Sequence, residues 1–451
     1  MQQILKNTAE RASRYLESLE TRSVFPTSDA LNRLAALDTP MPDHPESPEK
    51  TLAALDEYAS PATVGMAGSR YFGFVIGGSL PAALAANWLA GAWDQNAGLY
   101  VASPAASILE DVAGRWLLDV LGLPEDAGVG FVTGATMANF TGLAAARHKV
   151  LADQGWNVEA DGMFGAPPIT IIVGDEVHIS LLKALSLLGF GSQRVTRVPV
   201  DSQGRMRADA FPEITGPTIV CLQAGNVNTG ASDPLADLIP RAHAAGAWVH
   251  VDGAFGLWAN AAPDRMALVQ GIAGADSWAT DGHKWLNVPY DSGLVFVRDP
   301  EMLRAAMNYN AAYLVRSESR DPFQYTPELS RRARGIEIWA AMRSLGRSGI
   351  ADLVERCCRH AARFAEGLSA AGCRILNDVD LNQVLVSFGD AETTRQVIAA
   401  VQQEGTCWAG GTVWQGHTAM RISVSSWATT AEDVEQSLEA IINIANSITH
   451  P

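Results

Sequence analysis

Lysine is scarce in this chain of 451 residues, and any chemistry that needs a primary amine has few candidate side chains. The lysines are Lys6, Lys50, Lys149, Lys183 and Lys284. All basic residues together number 33 against 49 acidic ones, which gives a net charge of −16. A surface this acidic disfavours nucleic acid and anionic membranes as partners.

Cysteine is also sparse and forms no metal-binding pattern. The cysteines include neither a CxxC pair nor a cysteine–histidine spacing typical of a metal site, so we expect no metal and a reducing, cytoplasmic location. Long apolar runs are missing as well. The most apolar stretch, 77–93, is interrupted by Asn87 and is shorter than the ~20 residues of a membrane helix. We expect a buried helix there and no membrane association.

The distribution of apolar residues predicts three regions. Apolar spacing over 3–20 predicts an amphipathic helix, and the stretch 25–61, rich in proline, aspartate and serine, predicts an extended connector. That connector is either a surface arm or a clasp on a second copy of the chain. The predicted division is an N-terminal helical arm and connector at 1–60, a large domain at 61–345 and a small domain at 346–451.

Short β-rich runs alternate with helical stretches between about 80 and 345. Alternation of this kind predicts an α/β fold whose mostly parallel sheet is covered by helices. The last hundred residues predict a smaller α+β domain, in which 430–433 has the form of a capping box. The strands predicted for the large domain are 128–133, 169–175, 218–224, 248–254 and 292–298.

Lys284 is the lysine with the most unusual surroundings, since it lies between His283 and Trp285 just before a predicted strand. A lone lysine is usually an exposed surface residue. Among aromatic and apolar neighbours, however, an ammonium is disfavoured and a neutral amine is available as a nucleophile. This placement suits Schiff-base chemistry with a carbonyl cofactor.

Asp252 ends a predicted central strand, and the carboxyl ends of such strands face the crevice where α/β proteins bind ligands. It is either a turn or helix-cap aspartate, or a carboxylate that keeps a pyridine nitrogen protonated. Ala254, two residues later, leaves room for a flat ring.

The segment 131–139 predicts a strand, a turn of small residues and the start of a helix. Backbone N–H groups at such a helix start favour a phosphate, and the Thr136 hydroxyl adds a further donor. Neither GxGxxG nor GxxxxGK[ST] occurs, so dinucleotide and P-loop sites lack their fingerprints. His178 follows the strand predicted at 169–175, either as a capping or core histidine or as an imidazole stacked on an aromatic cofactor ring.

In order along the chain, His178-x-Ser180-x-x-Lys183-Ala184, Asp252-x-Ala254 and His283-Lys284-Trp285-Leu286 together resemble the group II pyridoxal-phosphate-dependent amino-acid decarboxylases. The resemblance covers roughly 50–450. It implies the aspartate-aminotransferase-like fold type I, with a large domain built on a mostly parallel sheet and a small α+β domain. It also implies pyridoxal 5′-phosphate as the cofactor and a small-molecule amino acid as the substrate.

The resemblance also implies residue roles. Lys284, Asp252 and His178 would be catalytic: the lysine binding the cofactor covalently, the aspartate pairing with its ring nitrogen and the histidine stacking on the ring. The remaining cofactor contacts would be Ala254 on the other ring face and Ala135, Thr136 and His283 on the phosphate, with Asp281 nearby. The loop residues Asn226, Asn228 and Thr229 are expected to be structural or to orient Asp252.

One feature departs from that family, whose members carry a long loop with a catalytic tyrosine before an Arg-Arg stretch. Here the loop 315–328 is short, and its only tyrosine, Tyr325, does not align cleanly with the catalytic one. The first hypothesis is an L-amino-acid decarboxylase that cleaves the bond between Cα and the carboxylate. The alternatives are a C–C lyase or aldolase, and an aminotransferase or aldehyde-forming enzyme, on the same scaffold. A non-catalytic cofactor-binding regulator is disfavoured, because the residues that the chemistry needs are present.

Candidate substrate residues are Phe74, Tyr100, Tyr325 and Arg421. Arg421 shares one face of a predicted strand with Ser423, where it either pairs with a surface carboxylate or binds the substrate carboxylate, as a small-domain arginine commonly does in type I enzymes. A tight arginine clamp would favour transamination or Cα–Cβ cleavage over decarboxylation. We also expect a homodimer in which the amphipathic helix at 3–20 packs on the partner chain.

Overall fold

A computed structural model of the chain describes residues 1–309 and 319–449. The chain divides into two compact units. The smaller consists of Met1–Gly78, Ala362–Leu376 and the chain from Val384 onward, and the larger of Ser79–Ala361 with Asn377–Gln383. The three-part division at 1–60, 61–345 and 346–451 stays a prediction.

The larger unit contains, among the residues described, one sheet of seven strands in the order β1-β7-β6-β5-β4-β2-β3. The strands β2 to β6 run parallel, and β7 runs antiparallel to both β6 and β1. The mostly parallel α/β sheet predicted from the sequence is therefore confirmed. These strands are β1 (Gly128–Val132), β2 (Thr170–Gly174), β3 (Thr196–Val198), β4 (Thr218–Gln223), β5 (Trp248–Asp252), β6 (Ser277–Asp281) and β7 (Gly293–Val297).

The helices alternate with these strands and continue into both ends of the chain. They are α1 (Gln2–Ser18), α2 (Ser28–Arg33), α3 (Pro48–Ala54), α4 (Pro81–Trp93), α5 (Pro104–Val120), α6 (Ala135–Ala152), α7 (Val158–Asp161), α8 (Ile179–Leu187), α9 (Leu235–Ala244), α10 (Pro300–Met307), α11 (Gly335–Ala370), α12 (Ala391–Glu404) and α13 (Ala431–Thr449). The helix α11 is kinked at Gly346, where φ is 61°. No helix in the described part of the chain is long and apolar enough to cross a membrane.

The helix α4 differs from the buried helix expected at 77–93. Trp88, Leu89 and Trp93 expose 46%, 54% and 46% of their surface, whereas Ala83 and Ala86 are buried. The apolar residues of this segment therefore lie on two faces of the helix: small ones face inward and large ones face outward.

The helix α6 lies against the sheet through a face of small residues. Ala138, Ala144 and Ala145 are almost wholly buried in the core of the larger unit. At Gly142 a Cβ atom would lie 2.9 Å from Cε1 of His250, a side chain of β5. Glycine costs a helix interior roughly 0.5–1 kcal/mol relative to alanine. Its presence here is explained by the close approach of the imidazole.

A buried ion pair connects α5 to the segment before α11. Arg331 Nη2 lies 2.6 Å from both carboxylate oxygens of Glu110, and each side chain is only 1% exposed. Arg331 Nη1 also donates to the carbonyl oxygen of Phe131 in β1. Arg331, the first residue of the Arg331-Arg332 pair that resembles the family's Arg-Arg stretch, is therefore a packing residue that links α5 to the sheet.

Removing one partner of this pair is expected to destabilise the protein strongly. Arg331→Met leaves the Glu110 carboxylate buried without its counter-charge, which typically costs about 3–5 kcal/mol of unfolding free energy. Urea unfolding of Arg331→Met should show this loss, and the double variant Glu110→Met/Arg331→Met should recover much of it. Single variants that unfold like the parent chain would contradict this assignment.

The smaller unit contains, within the part described, a sheet of four strands in the order β10-β11-β9-β8. They are β8 (Arg374–Ile375), β9 (Gln383–Ser387), β10 (Gly410–Trp414) and β11 (His417–Ser423). The predicted capping box at the start of α13 is confirmed. The Asp433 N–H donates to Thr430 Oγ1 at 3.2 Å, and the Thr430 N–H donates to Asp433 Oδ2 at 2.9 Å.

The N-terminal region forms helices where an extended connector was expected. The segment after α1 contains α2 and α3, whose first N–H groups are capped by the side chains of Thr27 and Ser47. None of the described residues of α1 is buried, although its apolar residues share a face. Leu5 is 57% exposed and Leu16 is 39% exposed.

Candidate active site

The predicted cofactor residues follow three strands that end at the same edge of the sheet. β1, β5 and β6 run in the same direction, because β7 is antiparallel to both β1 and β6. Asp252 ends β5, Asp281 ends β6, and α6 begins at Ala135 just after β1. The carboxyl ends of parallel strands are where open α/β sheets bind ligands.

Lys284 is held by a buried carboxylate at this edge. Its Nζ atom lies 2.9 Å from Asp281 Oδ2, with the two side chains 18% and 2% exposed. The sequence neighbours of this lysine are aromatic and apolar, but its immediate partner in the structure is an acid. By contrast, Lys183, the other lysine of the resembling motifs, is exposed.

Asp281 also connects the other residues of the turn. Its Oδ1 accepts a hydrogen bond of 2.6 Å from the Ala135 N–H at the start of α6, and it lies 3.4 Å from His283 Nε2. The Ala135 N–H, which the family resemblance assigns to the phosphate, thus has a side-chain partner within the chain.

His283 is oriented by its backbone neighbours. Its Nδ1 accepts from the Ser292 N–H at 3.0 Å, which leaves the proton on Nε2, and its ring stacks on Tyr290 with centroids 4.2 Å apart. Burial lowers the pKa of His283, and this effect outweighs the nearby Asp281 carboxylate, which raises the pKa. The result is a neutral imidazole whose N–H points toward the Asp281 side.

The turn before α6 is packed tightly on β7. A Cβ atom at Gly293 would overlap the backbone of Gly134, and a Cβ atom at Gly134 would lie 3.1 Å from the ring of His283. Glycine at these positions lets the helix start approach the lysine turn.

Gly293→Ala is therefore expected to push the start of α6 away from the sheet, at a cost of about 1–3 kcal/mol in stability. Thermal unfolding should show a lowered midpoint. A matched control is Gly91→Ala in α4, where a Cβ atom meets nothing within 4 Å and the alanine favours the helix. Equal midpoints for the two variants would contradict the close-packing argument.

Asp252 is buried, with 5% exposure, and both of its oxygens accept hydrogen bonds. Oδ2 accepts from Asn139 Nδ2 at 2.9 Å, and Oδ1 accepts from the Ala254 N–H at 3.2 Å. The carboxylate is therefore fixed in orientation at the end of the central strand.

His178 caps the first turn of α8. Its Nδ1 lies 2.7 Å from Ser180 Oγ and 3.3 Å from the Ser180 backbone nitrogen. His178 and Asp252 nevertheless line the same small cavity, which also contacts Cys221. The capping interaction fixes the imidazole ring of His178, and the ring borders the same cavity as Asp252.

The predicted substrate residues lie in different places. In the larger unit, the backbone N–H of Tyr100 donates to Asp321 Oδ1. Tyr325 is buried there: its hydroxyl accepts from Arg304 at 3.2 Å, and the Arg320 guanidinium lies 3.8 Å from its ring centroid. The first part of the predicted short loop, 315–318, lies outside the described residues.

The other two substrate candidates belong to the smaller unit. Phe74 is 59% exposed and stacks on Trp408 with centroids 5.5 Å apart, while its backbone has a φ of 55° that non-glycine residues rarely adopt. Arg421 is half-buried on β11, and burial lowers the pKa of its guanidinium.

Sequence reasoning missed Asn139, the residue that contacts Asp252. Asn226 was expected either to orient Asp252 or to be structural. In the structure its side chain hydrogen-bonds Glu176 and the N–H groups of Asn228 and Thr229, which are structural contacts. The only signal for Asn139 was a polar residue four positions after Ala135, one helical turn into an alanine-rich helix.

The donor set at this edge suits pyridoxal phosphate. An amine is available for an aldehyde at Lys284, and the first turn of α6 supplies N–H groups and the Thr136 hydroxyl for a phosphate. A buried, hydrogen-bonded carboxylate is available for a ring nitrogen at Asp252. Ser292 Oγ is also buried without a hydrogen-bond partner among the described residues, directly before the strand β7 that follows the lysine turn.

The family profile described as "Pyridoxal-dependent decarboxylase conserved domain" matches residues 31–389. The chain is 27% identical over 369 residues to an aromatic-L-amino-acid decarboxylase of Bacillus atrophaeus, a match that covers 79% of this chain and 74% of the relative. It is 25% identical over 439 residues to a phenylacetaldehyde synthase of Arabidopsis thaliana, with 91% and 88% coverage.

The fold has a counterpart of known structure. The crystal structure of Oryza sativa TDC with PLP and tryptamine matches with a TM-score of 0.90 at 23% identity, covering 99% of this chain and 97% of the other. Because the family profile spans most of the chain, the chain belongs to the pyridoxal-dependent decarboxylase family, and it is a pyridoxal-phosphate-dependent carbon–carbon lyase of amino-acid metabolism.

Proposed function

We propose that this decarboxylase acts on L-amino acids, with Lys284 binding the cofactor covalently and Asp252 pairing with its ring nitrogen. The observation that carries the proposal is the buried contact of Lys284 Nζ with Asp281 at the same sheet edge as Asp252. When bound, pyridoxal phosphate accepts the electron pair that remains on Cα after the carboxylate leaves.

In this proposal each side chain has one task. Asp281 holds Lys284 Nζ at a fixed position and, at 2.9 Å, is within hydrogen-bond distance of the amine. Asp252, with both oxygens already accepting hydrogen bonds, presents a negative charge that stabilises a protonated ring nitrogen. Ala254 and His178 provide the two faces between which a flat ring fits.

The phosphate is assigned to the first turn of α6. Thr136 contributes its hydroxyl and backbone N–H, and neutral His283 contributes its Nε2–H. Ala135 is also assigned to the phosphate, but its N–H donates to Asp281 in the structure and must break that hydrogen bond to bind the phosphate. Phe74, Tyr100, Tyr325 and Arg421 stay predictions as substrate residues, and the buried contacts of Tyr325 favour a packing role for it.

The proposed substrate is an aromatic L-amino acid, because a relative that covers most of this chain is an aromatic-L-amino-acid decarboxylase. The test is incubation of the purified holoenzyme with each of the twenty amino acids, scored for carbon dioxide and amine. We expect release from tryptophan, tyrosine or phenylalanine. Release from glutamate or aspartate alone would refute the substrate class, and no carbon dioxide from any amino acid would refute the proposed activity.

Aldehyde formation is the second candidate, and the relationship to a phenylacetaldehyde synthase favours it. An enzyme of this kind would consume oxygen and water and release ammonia and hydrogen peroxide together with carbon dioxide and an aldehyde. Oxygen uptake that matches carbon dioxide release would identify it, whereas amine formation without oxygen uptake would identify the simple decarboxylase.

We also propose that the enzyme is a cytoplasmic homodimer. All five cysteines are free, as a reducing compartment requires, and α1 carries exposed apolar side chains without burying any residue. Deletion of 1–20 is expected to shift the chain from dimer to monomer in sedimentation experiments. The double substitution of two exposed α1 residues, Leu5→Ser/Leu16→Ser, should also weaken the dimer. A wild-type chain that sediments as a monomer would contradict the proposal.

A further inference from the structure

A chain of buried polar side chains runs from β5 and β6 through α6 to Asp252. Trp248 Nε1 donates to Ser277 Oγ at 2.9 Å, and Ser277 Oγ lies 2.8 Å from His250 Nδ1. His250 Nε2 lies 2.9 Å from Asn139 Oδ1, and Asn139 Nδ2 donates to Asp252 at 2.9 Å. Every link has ordinary hydrogen-bond geometry, so the five side chains form one continuous network.

His250 can carry only one proton in this environment. It has no exposed surface, and burial lowers its pKa to about 3. At neutral pH it is therefore a neutral imidazole, in which one ring nitrogen donates and the other accepts.

The direction of the chain follows from Asn139. Because its amide nitrogen faces Asp252, its carbonyl oxygen faces His250 and requires a donor there, which places the imidazole proton on Nε2. His250 Nδ1 then accepts the Ser277 hydroxyl proton, and Ser277 Oγ accepts from Trp248, whose indole can only donate. In the reverse direction, the carbonyl oxygen of Asn139 would lie against the Asp252 carboxylate, which leaves two acceptors in contact.

The fold makes room for this arrangement. His250 and Ser277 are paired across β5 and β6, and the absence of a side chain at Gly142 lets the imidazole reach the helix that carries Asn139. A buried polar network is tolerated when all its members are satisfied, and then it fixes the orientation of each of them.

We propose that His250 and Asn139 are positioning residues that fix the orientation of the Asp252 carboxylate and aim it at the cofactor's ring nitrogen. This inference rests on the proposed pairing of Asp252 with that nitrogen. Neither residue needs to touch the cofactor, since each acts through the next member of the network.

The test compares two ligands of the apoenzyme: pyridoxal phosphate and its analogue with C–H in place of the ring nitrogen. Asn139→Leu and His250→Leu each replace a hydrogen-bond donor with an apolar side chain of similar size. We expect about 10- to 100-fold weaker binding of pyridoxal phosphate, the range for loss of a charge-assisted hydrogen bond, and little change for the carbon analogue. His250→Gln, which retains an N–H donor, should restore most of the lost affinity.

Asp252→Ala distinguishes the positioning role of His250 and Asn139 from the proposed pairing of Asp252 with the ring nitrogen. If Asp252→Ala weakens both ligands equally, the pairing with the ring nitrogen is wrong. If Asp252→Ala discriminates between the ligands but Asn139→Leu and His250→Leu do not, the pairing stands and the positioning role is refuted.

A second measurement locates the imidazole proton of His250 in the wild-type enzyme, without a substitution in the core. Nitrogen-15 NMR of histidine-labelled holoenzyme, with the His250 signal assigned by its loss in His250→Gln, reports which ring nitrogen carries the proton. A proton on Nε2 that persists across neutral pH supports the inference. A proton on Nδ1, or a charged ring, would overturn it.

Discussion

Lys284→Ala is expected to lower kcat by on the order of 10⁴-fold or more, the scale seen when the nucleophile of a covalent mechanism is removed. The structure gives this position a buried acidic partner, Asp281, at the sheet edge that carries the other site residues. The variant should still bind pyridoxal phosphate through phosphate contacts, but gel filtration should strip the cofactor and its visible absorbance. Steady-state turnover and the absorbance of the filtered protein are the two measurements.

Lys183→Ala is the matched control for that variant. Lys183 belongs to the same family-like motifs, yet its side chain is exposed on α8. Its removal should leave turnover and absorbance at wild-type values. Loss of activity in Lys183→Ala with full activity in Lys284→Ala would reverse the assignment.

Asp252→Ala is expected to cost about 3–4 kcal/mol of transition-state stabilisation, which corresponds to a roughly 10²- to 10³-fold loss in kcat. The reason is that a buried negative charge, fixed by Asn139 and the Ala254 N–H, would keep the cofactor's ring nitrogen protonated, and a protonated ring would be the better electron acceptor. Comparison of kcat and KM with the wild-type enzyme measures the effect.

Asp252→Asn is the control that distinguishes the loss of negative charge from the loss of side-chain volume. It keeps the size of the side chain but removes its negative charge. A loss close to that of Asp252→Ala assigns the effect to the charge, as the account requires. Wild-type turnover in both variants would mean that Asp252 is only a strand-end cap.

The sheet was largely predictable because its strands are short, continuous apolar runs. Asp252 could be placed at a ligand-binding edge from sequence alone, since a carboxylate directly follows such a run. The strand β6 was not predicted, because Ser277–Asp281 begins and ends with polar residues whose burial depends on hydrogen bonds with other strands. The strand β3 has only three residues, two of them exposed, and offers no periodic signal.

The partners of the site residues were less predictable. The spacing of Asp281 and Lys284 is visible in the sequence, but their contact depends on the turn that folds the lysine back onto the end of β6. Asn139 and Asp252 are separated by 113 positions, and only the packing of α6 on the sheet brings them together. Tyr325 was placed in a short loop beside Thr326, whereas in the structure it is buried and contacts Arg304 and Arg320.

Borohydride reduction of the holoenzyme identifies the lysine that carries the cofactor, which we propose is Lys284. Reduction fixes a covalently bound pyridoxal phosphate on its lysine, and proteolysis followed by mass spectrometry then identifies that residue. We expect a stoichiometric modification on the peptide containing Lys284 and loss of the visible absorbance. A modification on Lys183 or another lysine, or no modification at all, would contradict it.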